Sequence, residues 1–193
     1  MLESFTENIL KTSFLELTKS RRSIRQFSDR NVEMEKILTC LEAARLAPSA
    51  ENVQPWRFVI LNNVETKESF GKEAFSGIYR YSRWALKAPV LICIFAELDI
   101  LANRIGKNIQ GTQFYLLDIG IAGEHLVLQA QELGLGTCWI GWFNAKKGAK
   151  VLNVPRSWRF VSIIAMGYPT AKIQKERPRK SLQEIVFFNE YKK

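Results

Sequence analysis

Apolar residues recur along this chain at helical spacing in some stretches and in unbroken or alternating runs in others, and that alternation is the first guide to its architecture. Ser13, followed three residues later by Glu16, has the spacing of a capping box and predicts a helix that ends near Thr18 or Lys19. Residues 32–45 predict a second helix with Ile37, Leu38, Leu41 and Ala44 on one face. A short strand is predicted over 57–61, a weakly patterned helix over 65–85, and a buried strand over the continuous apolar run 90–96. The polar stretch 103–112 reads as a mobile loop.

The strongest helical pattern covers 116–133, where Ile119, Ala122, Gly123, Leu126, Ala130 and Leu133 recur at helical spacing and Gly134 is placed to cap the C-terminus. This helix is expected to be central and nearly buried. Strands are predicted at 137–143 and 160–166, the second running into the turn Gly167-Tyr168-Pro169. Residues 182–188 read as a short apolar terminal strand that needs something to pair with.

With 193 residues, 47% of them hydrophobic and 24% charged, the chain is expected to fold as one domain over 1–193 around a well-buried core. No stretch approaches the roughly 20 apolar residues of a membrane span. Residues 1–17 carry Glu3, Glu7 and Glu16 in place of a basic leader, so a cytoplasmic location is expected, with no membrane partner. The cysteines Cys40, Cys93 and Cys138 are odd in number and far apart, which predicts buried thiols instead of a disulfide framework or zinc site. His125, the single histidine, lies in the central helix without ligands at metal-binding spacing, so it is read as a core or interface residue.

The formal charge of +9 changes the picture because it falls in three patches, at 21–30, 146–150 and 172–180. Lys146, Lys147 and Lys150 read as a solvated turn. The other two patches are rich in arginine, the better bidentate phosphate ligand. In Arg21-Arg22-Ser23-Ile24-Arg25, three guanidinium groups and a hydroxyl form a donor cluster suited to a phosphate and to the polar edge of a heterocycle. A loop of turn formers and amides follows at Ala47-Pro48-Ser49-Ala50-Glu51-Asn52-Val53-Gln54-Pro55-Trp56, and the two strings read as halves of a cofactor cradle. No nucleophile elbow, phosphate-binding P-loop or dinucleotide fingerprint occurs, and Glu16, Glu51 and Asp118 have no evident catalytic partner. Side chains so poor in chemistry imply that an organic cofactor carries the reaction.

Residues 21–27 and 47–58 resemble the FMN-dependent nitroreductase family, as do Asp118-Ile119-Gly120-Ile121-Ala122, Leu133-Gly134-Leu135-Gly136-Thr137-Cys138-Trp139-Ile140-Gly141 and Ala165-Met166-Gly167-Tyr168-Pro169. The match runs from about 14 to 188, in family order. The resemblance implies an α+β fold, a mixed and mostly antiparallel sheet flanked by helices, in a homodimer whose C-terminal strands exchange between subunits. It further implies FMN as cofactor and NAD(P)H as reductant. Hydride would pass through the flavin to an organic acceptor such as a nitroaromatic or quinone, by a ping-pong mechanism.

By the same resemblance, Arg21 and Ser23 bind the FMN phosphate and ribityl chain, Arg22 lies close by, and Arg25 faces the pyrimidine edge, where charge develops on reduction. Pro48, Ser49, Ala50, Asn52 and Gln54 come from the other subunit. Trp139, Ile140 and Gly141 lie along the flavin, with a backbone N–H near Gly141 donating to N5, and Arg179 and Lys180 close the phosphate site. Ala50, Tyr79, Tyr115 and Trp142 are candidates for the acceptor pocket. Two other readings stay open at this point: the same fold used for reductive dehalogenation or flavin fragmentation, and a non-catalytic basic module that binds nucleic acid.

Overall fold

A computed structural model describes residues 13–98, 111–170 and 177–191 of the chain. The loop predicted at 103–112 lies outside the described residues except for its last two. Helix α1 (Phe14–Ser20) starts at Ser13, whose Oγ accepts from the Glu16 N–H at 3.3 Å. The Glu16 carboxylate turns forward to Lys19 at 2.8 Å, so one half of the predicted capping box forms. Helix α2 (Met34–Arg45) buries Ile37, Cys40 and Ala44, whereas Leu38, placed on the same face by its spacing, is exposed.

Four strands form an antiparallel sheet in the order β1 (Trp56–Leu61), β2 (Val90–Glu97), β4 (Trp158–Gly167), β3 (Gly136–Ile140). Strand β2 pairs on both sides and is buried over Val90–Ala96, which is why its sequence is a continuous apolar run. One core cluster lies between the sheet and helices α2 and α4 (Phe114–Glu132), around Ile92, Ile94, Ile119 and Leu126. The other holds Phe70, Phe75, Phe95 and Phe160, beneath α3 (Val64–Ala74) and α5 (Ala145–Val151).

Helix α4 is central, as its pattern predicts, with Ile119, Ala122, Gly123, Leu126, Val127 and Ala130 buried. Its C-terminus closes in a Schellman motif: the Leu135 N–H reaches Ala130 O at 2.8 Å and the Gly134 N–H reaches Gln131 O at 3.1 Å. Gly134 has φ 74°, the left-handed conformation the motif requires.

Three predicted elements are corrected. Residues 65–85 do not form one helix: α3 ends at Ala74, and the 3₁₀ segment Gly77–Lys87 follows, beginning at Gly77 with φ 57°. Ser82 and Ala85 within it and Ala88 just after it are buried at the three-residue spacing of a 3₁₀ turn, a rhythm that blurs any 3.6-residue pattern. The lysines at 146–150 belong to α5, which starts where Asn144 Oδ1 accepts from the Lys147 N–H at 3.1 Å and buries Gly148 against Phe70 and Phe160. Residues 182–188 are not a strand in this chain: Leu182–Ile185 is a helical turn, α6, set by a complete capping box between Ser181 and Glu184. Its apolar residues, Leu182, Ile185, Phe187 and Phe188, are exposed.

His125 is also exposed and not a core residue, with Nδ1 3.2 Å from Ala43 O. All three cysteines are buried and free, as expected. Among the described residues no helix is long and apolar enough to cross a membrane, and no cluster of three or more His, Cys, Asp or Glu could hold a metal.

Candidate functional site

The arginine string leaves α1 and runs across the ends of β3 and β4. Ser23 bridges Thr137 in parallel, the Ile24 N–H donates to Thr137 O at 2.8 Å, and the Ser28 N–H donates to Tyr168 O at 2.8 Å. Along these residues Ile24 and Phe27 are buried, while Arg25 and Gln26 between them are exposed. Ile24 seats against Gly136, where a Cβ would lie 2.5 Å from its side chain, so β3 and the string meet backbone to side chain.

Ser23 of the string stands on β3 through its bridge to Thr137. Cys138 Sγ feels the Arg25 charge, the Ser23 hydroxyl, and the charges of Arg177 and Arg21, all of which oppose the upward push that burial gives the thiol. Arg21 Nε also lies 3.7 Å from Glu124 on α4, with 22% of its side chain exposed. Arg25 stands over the Trp84 ring at 5.8 Å. Arg22 is directed elsewhere: its guanidinium donates to the carbonyls of Lys19 and Arg21 and so caps α1.

In the C-terminal basic run Arg177 is exposed, and its charge is among those that oppose the rise burial gives the Cys138 pKa. Arg179 and Lys180 are exposed, and the Arg179 guanidinium donates to Pro178 O at 3.3 Å.

Trp139, Ile140 and Gly141 continue the same edge. Trp139 packs toward α4 across Gly123, Ile140 is buried in the second core, and Gly141 is exposed with open space around the position of a Cβ. The following Trp142 is tied to the 3₁₀ segment: Ser82 Oγ donates to its carbonyl at 2.6 Å, its Nε1 donates to Ile78 O at 3.0 Å, and its ring meets Tyr79 at 5.3 Å. Two of the acceptor-pocket candidates are thereby in contact. Tyr115 is instead a buried member of the first core whose hydroxyl donates to Gln113.

The loop over 48–54 is a separate unit. The Gln54 N–H donates to Ser49 Oγ at 2.9 Å, and the Asn52 and Val53 N–H groups close a 3₁₀ turn on Ser49 and Ala50. Glu51, Asn52 and Gln54 have φ of 51°, 55° and 51°, left-handed values that non-glycine residues rarely adopt. Pro48 is exposed and Ala50 is half-buried. No hydrogen bond or ion pair among the described residues joins this loop to the arginine string of the same chain, although both touch α4, the loop at Asp118 and the string at Glu124.

The donors that gather suit FMN: two guanidinium groups and a hydroxyl for a phosphate and a polyol, beside a strand end where open backbone at Gly141 lets a flat ring approach.

Comparison with known proteins agrees. The sequence profile described as the nitroreductase family matches residues 18–168. A protein of Methanothermobacter thermautotrophicus named for NADH dehydrogenase/NAD(P)H nitroreductase activity is 31% identical over 165 residues, covering 83% of this chain and 80% of that protein. A crystal structure of a nitroreductase family protein from Clostridium difficile 630 superimposes with a TM-score of 0.77 at 32% identity, over 92% of this chain and 99% of that one. The structure of an FMN-dependent nitroreductase from Clostridium difficile R20291 gives a TM-score of 0.73 at 29% identity, over 92% and 99%.

Proposed function

The chain belongs to the nitroreductase family, and from that premise we propose that it is an FMN-dependent oxidoreductase, taking hydride from NAD(P)H and passing it to an organic acceptor such as a nitroaromatic or quinone. The observation that carries this reading is the arginine string laid along the start of β3, with Ser23 bridged to Thr137 and the Ile24 N–H on Thr137 O, on the strand that leads to the open backbone of Gly141. It is supported by the FMN and NAD(P)H in the names of similar proteins.

When bound, FMN supplies hydride acceptance and donation, the chemistry that no side-chain set here offers. The chain's own residues bind and orient. Arg21, with the basic run that holds Arg177, Arg179 and Lys180, provides charge-assisted donors for the phosphate, and Ser23 a hydroxyl for the ribityl chain. Arg25 holds positive charge where the pyrimidine edge becomes negative, which favours the reduced state. The backbone at Gly141 offers an N–H to N5, and Tyr79 and Trp142 wall the place where the acceptor enters.

The working unit is a homodimer in which Pro48, Ser49, Ala50, Asn52 and Gln54 serve the partner's cofactor. Supporting this, α4 exposes Leu116, Leu117 and Ile121, and α1 and α2 expose Phe14, Leu15, Leu38 and Leu46, an apolar surface that a monomer in water would not favour. A cleft of about 310 Å³ opens among α1, α2 and α4, lined by Phe14, Leu46 and Leu128. The exposed apolar tail at 182–188 is proposed to pack on the second subunit.

The test is kinetic. NAD(P)H bleaches the bound flavin under anaerobic conditions, and a nitroaromatic or quinone restores its absorbance. Initial rates at several fixed acceptor concentrations give parallel double-reciprocal lines, because both substrates use one site in turn. Intersecting lines would point to a ternary complex, and a flavin that neither NADH nor NADPH bleaches would overturn the reductase reading.

A further inference from the structure

Asp118 has a role that its chemistry does not explain if it only fills space. It is 3% exposed, on α4, and no cation pairs with it among the described residues. Its Oδ1 accepts from the Ala50 N–H at 3.0 Å, and its buried Oδ2 has no hydrogen-bond partner. Burial raises the carboxyl's pKa, opposed by the Ala50 N–H. A buried carboxylate held by one hydrogen bond is costly, so the bond it does make is informative.

That bond spans 68 positions of sequence and ends beside the left-handed residues Glu51, Asn52 and Gln54. Within 49–54 the other hydrogen bonds are local: Gln54 N–H to Ser49 Oγ, Asn52 N–H to Ser49 O, Val53 N–H to Ala50 O, and Gln54 Nε2 to Asn52 O. They close the turn on itself, while Arg57 Nη1 on Gln54 O at 3.2 Å and the Glu97 N–H on Pro55 O at 2.8 Å tie its C-terminal end to the sheet. Three left-handed residues in four positions persist only where the surroundings over-determine them. The tie to the helix layer comes from Asp118.

We propose that Asp118 is the positioning residue of the flavin-contacting loop: by holding Ala50 to α4 it fixes the place and conformation in which Ser49, Asn52 and Gln54 meet the cofactor. This rests on the FMN reading above. Asp118 itself touches no cofactor.

Two variants separate positioning from packing. Asp118→Asn keeps both the volume and an acceptor for the Ala50 N–H, whereas Asp118→Leu keeps the branched shape, with larger methyl groups, and removes the acceptor. Each is purified as the full chain and compared with wild type by hydrogen exchange of the peptide covering 47–56, by FMN titration and by thermal unfolding. The expected result is exchange about 10-fold faster and FMN binding about 10-fold weaker in Asp118→Leu, with both near wild type in Asp118→Asn. Asp118→Ala takes the place of Asp118→Leu if the latter does not fold. Wild-type exchange and affinity in the variant without an acceptor would overturn the proposal, as would an Asp118→Asn variant impaired as strongly as Asp118→Leu. Should the wild-type chain bind no FMN, the reductase reading falls, and the exchange arm alone still decides what Asp118 does.

Discussion

Gly123 and Trp139 interlock: a methyl group at Gly123 would lie 2.1 Å from Cη2 and 2.5 Å from Cζ2 of the indole. The central helix therefore approaches β3 only because residue 123 has no side chain. The indole lies in the first core, two residues before Gly141, so helix packing and site geometry share one contact.

Gly123→Ala forces the indole to move. Overpacking of this kind costs about 1–3 kcal/mol, and the displaced ring disturbs the strand that carries Cys138 and leads to Gly141. Lower stability in chemical denaturation together with weaker FMN binding is the expected outcome. A variant with wild-type values for both would show that Trp139 has another rotamer open to it.

Arg21→Ala and Arg177→Ala each remove a charge-assisted phosphate contact of about 1.5–3 kcal/mol, or roughly 10-fold or more in FMN affinity. Arg179→Ala, at an exposed side chain that turns back to donate to Pro178 O, leaves the affinity within about 3-fold. Titration by flavin fluorescence ranks the three. The opposite order, with Arg179 dominant, would restore the alignment expected from sequence.

Glu33 carries a pH signature. Its carboxyl is lowered to about 2 by the Tyr168 hydroxyl, its own backbone N–H and Arg30, with the hydroxyl and Arg30 each 2.6 Å away. A depressed folded-state pKa contributes stability at pH above the ordinary carboxylate value, and that stability is lost as pH falls toward about 2. Glu33→Gln or Tyr168→Phe therefore flattens the pH dependence of unfolding across this acidic window and leaves its slope near neutrality unchanged. Denaturant midpoints measured at a series of pH values provide the check.

The thiols are inert. Burial pushes Cys40 up to about 12 and raises Cys93 and Cys138 as well, so each remains protonated near neutral pH. A thiol reagent at about pH 8 labels none of the three in the native protein and all three after denaturation. Rapid labelling of native Cys138 would show that the nearby arginines outweigh burial.

Much of the architecture follows from local pattern because the long elements bury one face or both. The run 90–96 and the periodicity of 116–133 each correspond to a buried strand or helix, and Gly134 caps where its backbone freedom is needed. The segment after Ala74 was harder to read because its inward residues repeat every three positions. Helix α5 was hidden because three lysines dominate a short element whose buried contact is a glycine. The C-terminal residues were read as a strand from apolar content alone, whereas Ser181 and Glu184 supply a local capping box that sets a helical turn. Within the site, the convergence of Arg21, Ser23 and Arg25 could be anticipated from adjacency in sequence. The Asp118–Ala50 bond could not, since it depends on a contact that crosses the fold.

Helix α4 holds the loop through Asp118 and faces the arginine string through Glu124, six residues further along. In the proposed dimer those two attachments serve different cofactors, so each flavin site is inherited half from one polypeptide and half from the other. Chains carrying Arg21→Ala and chains carrying Asp118→Leu then complement one another when mixed. One site of the heterodimer collects both lesions, and the other receives an undamaged string and an undamaged loop. Two impaired proteins yield a species that binds one flavin tightly per dimer, a stoichiometry that neither parent reaches.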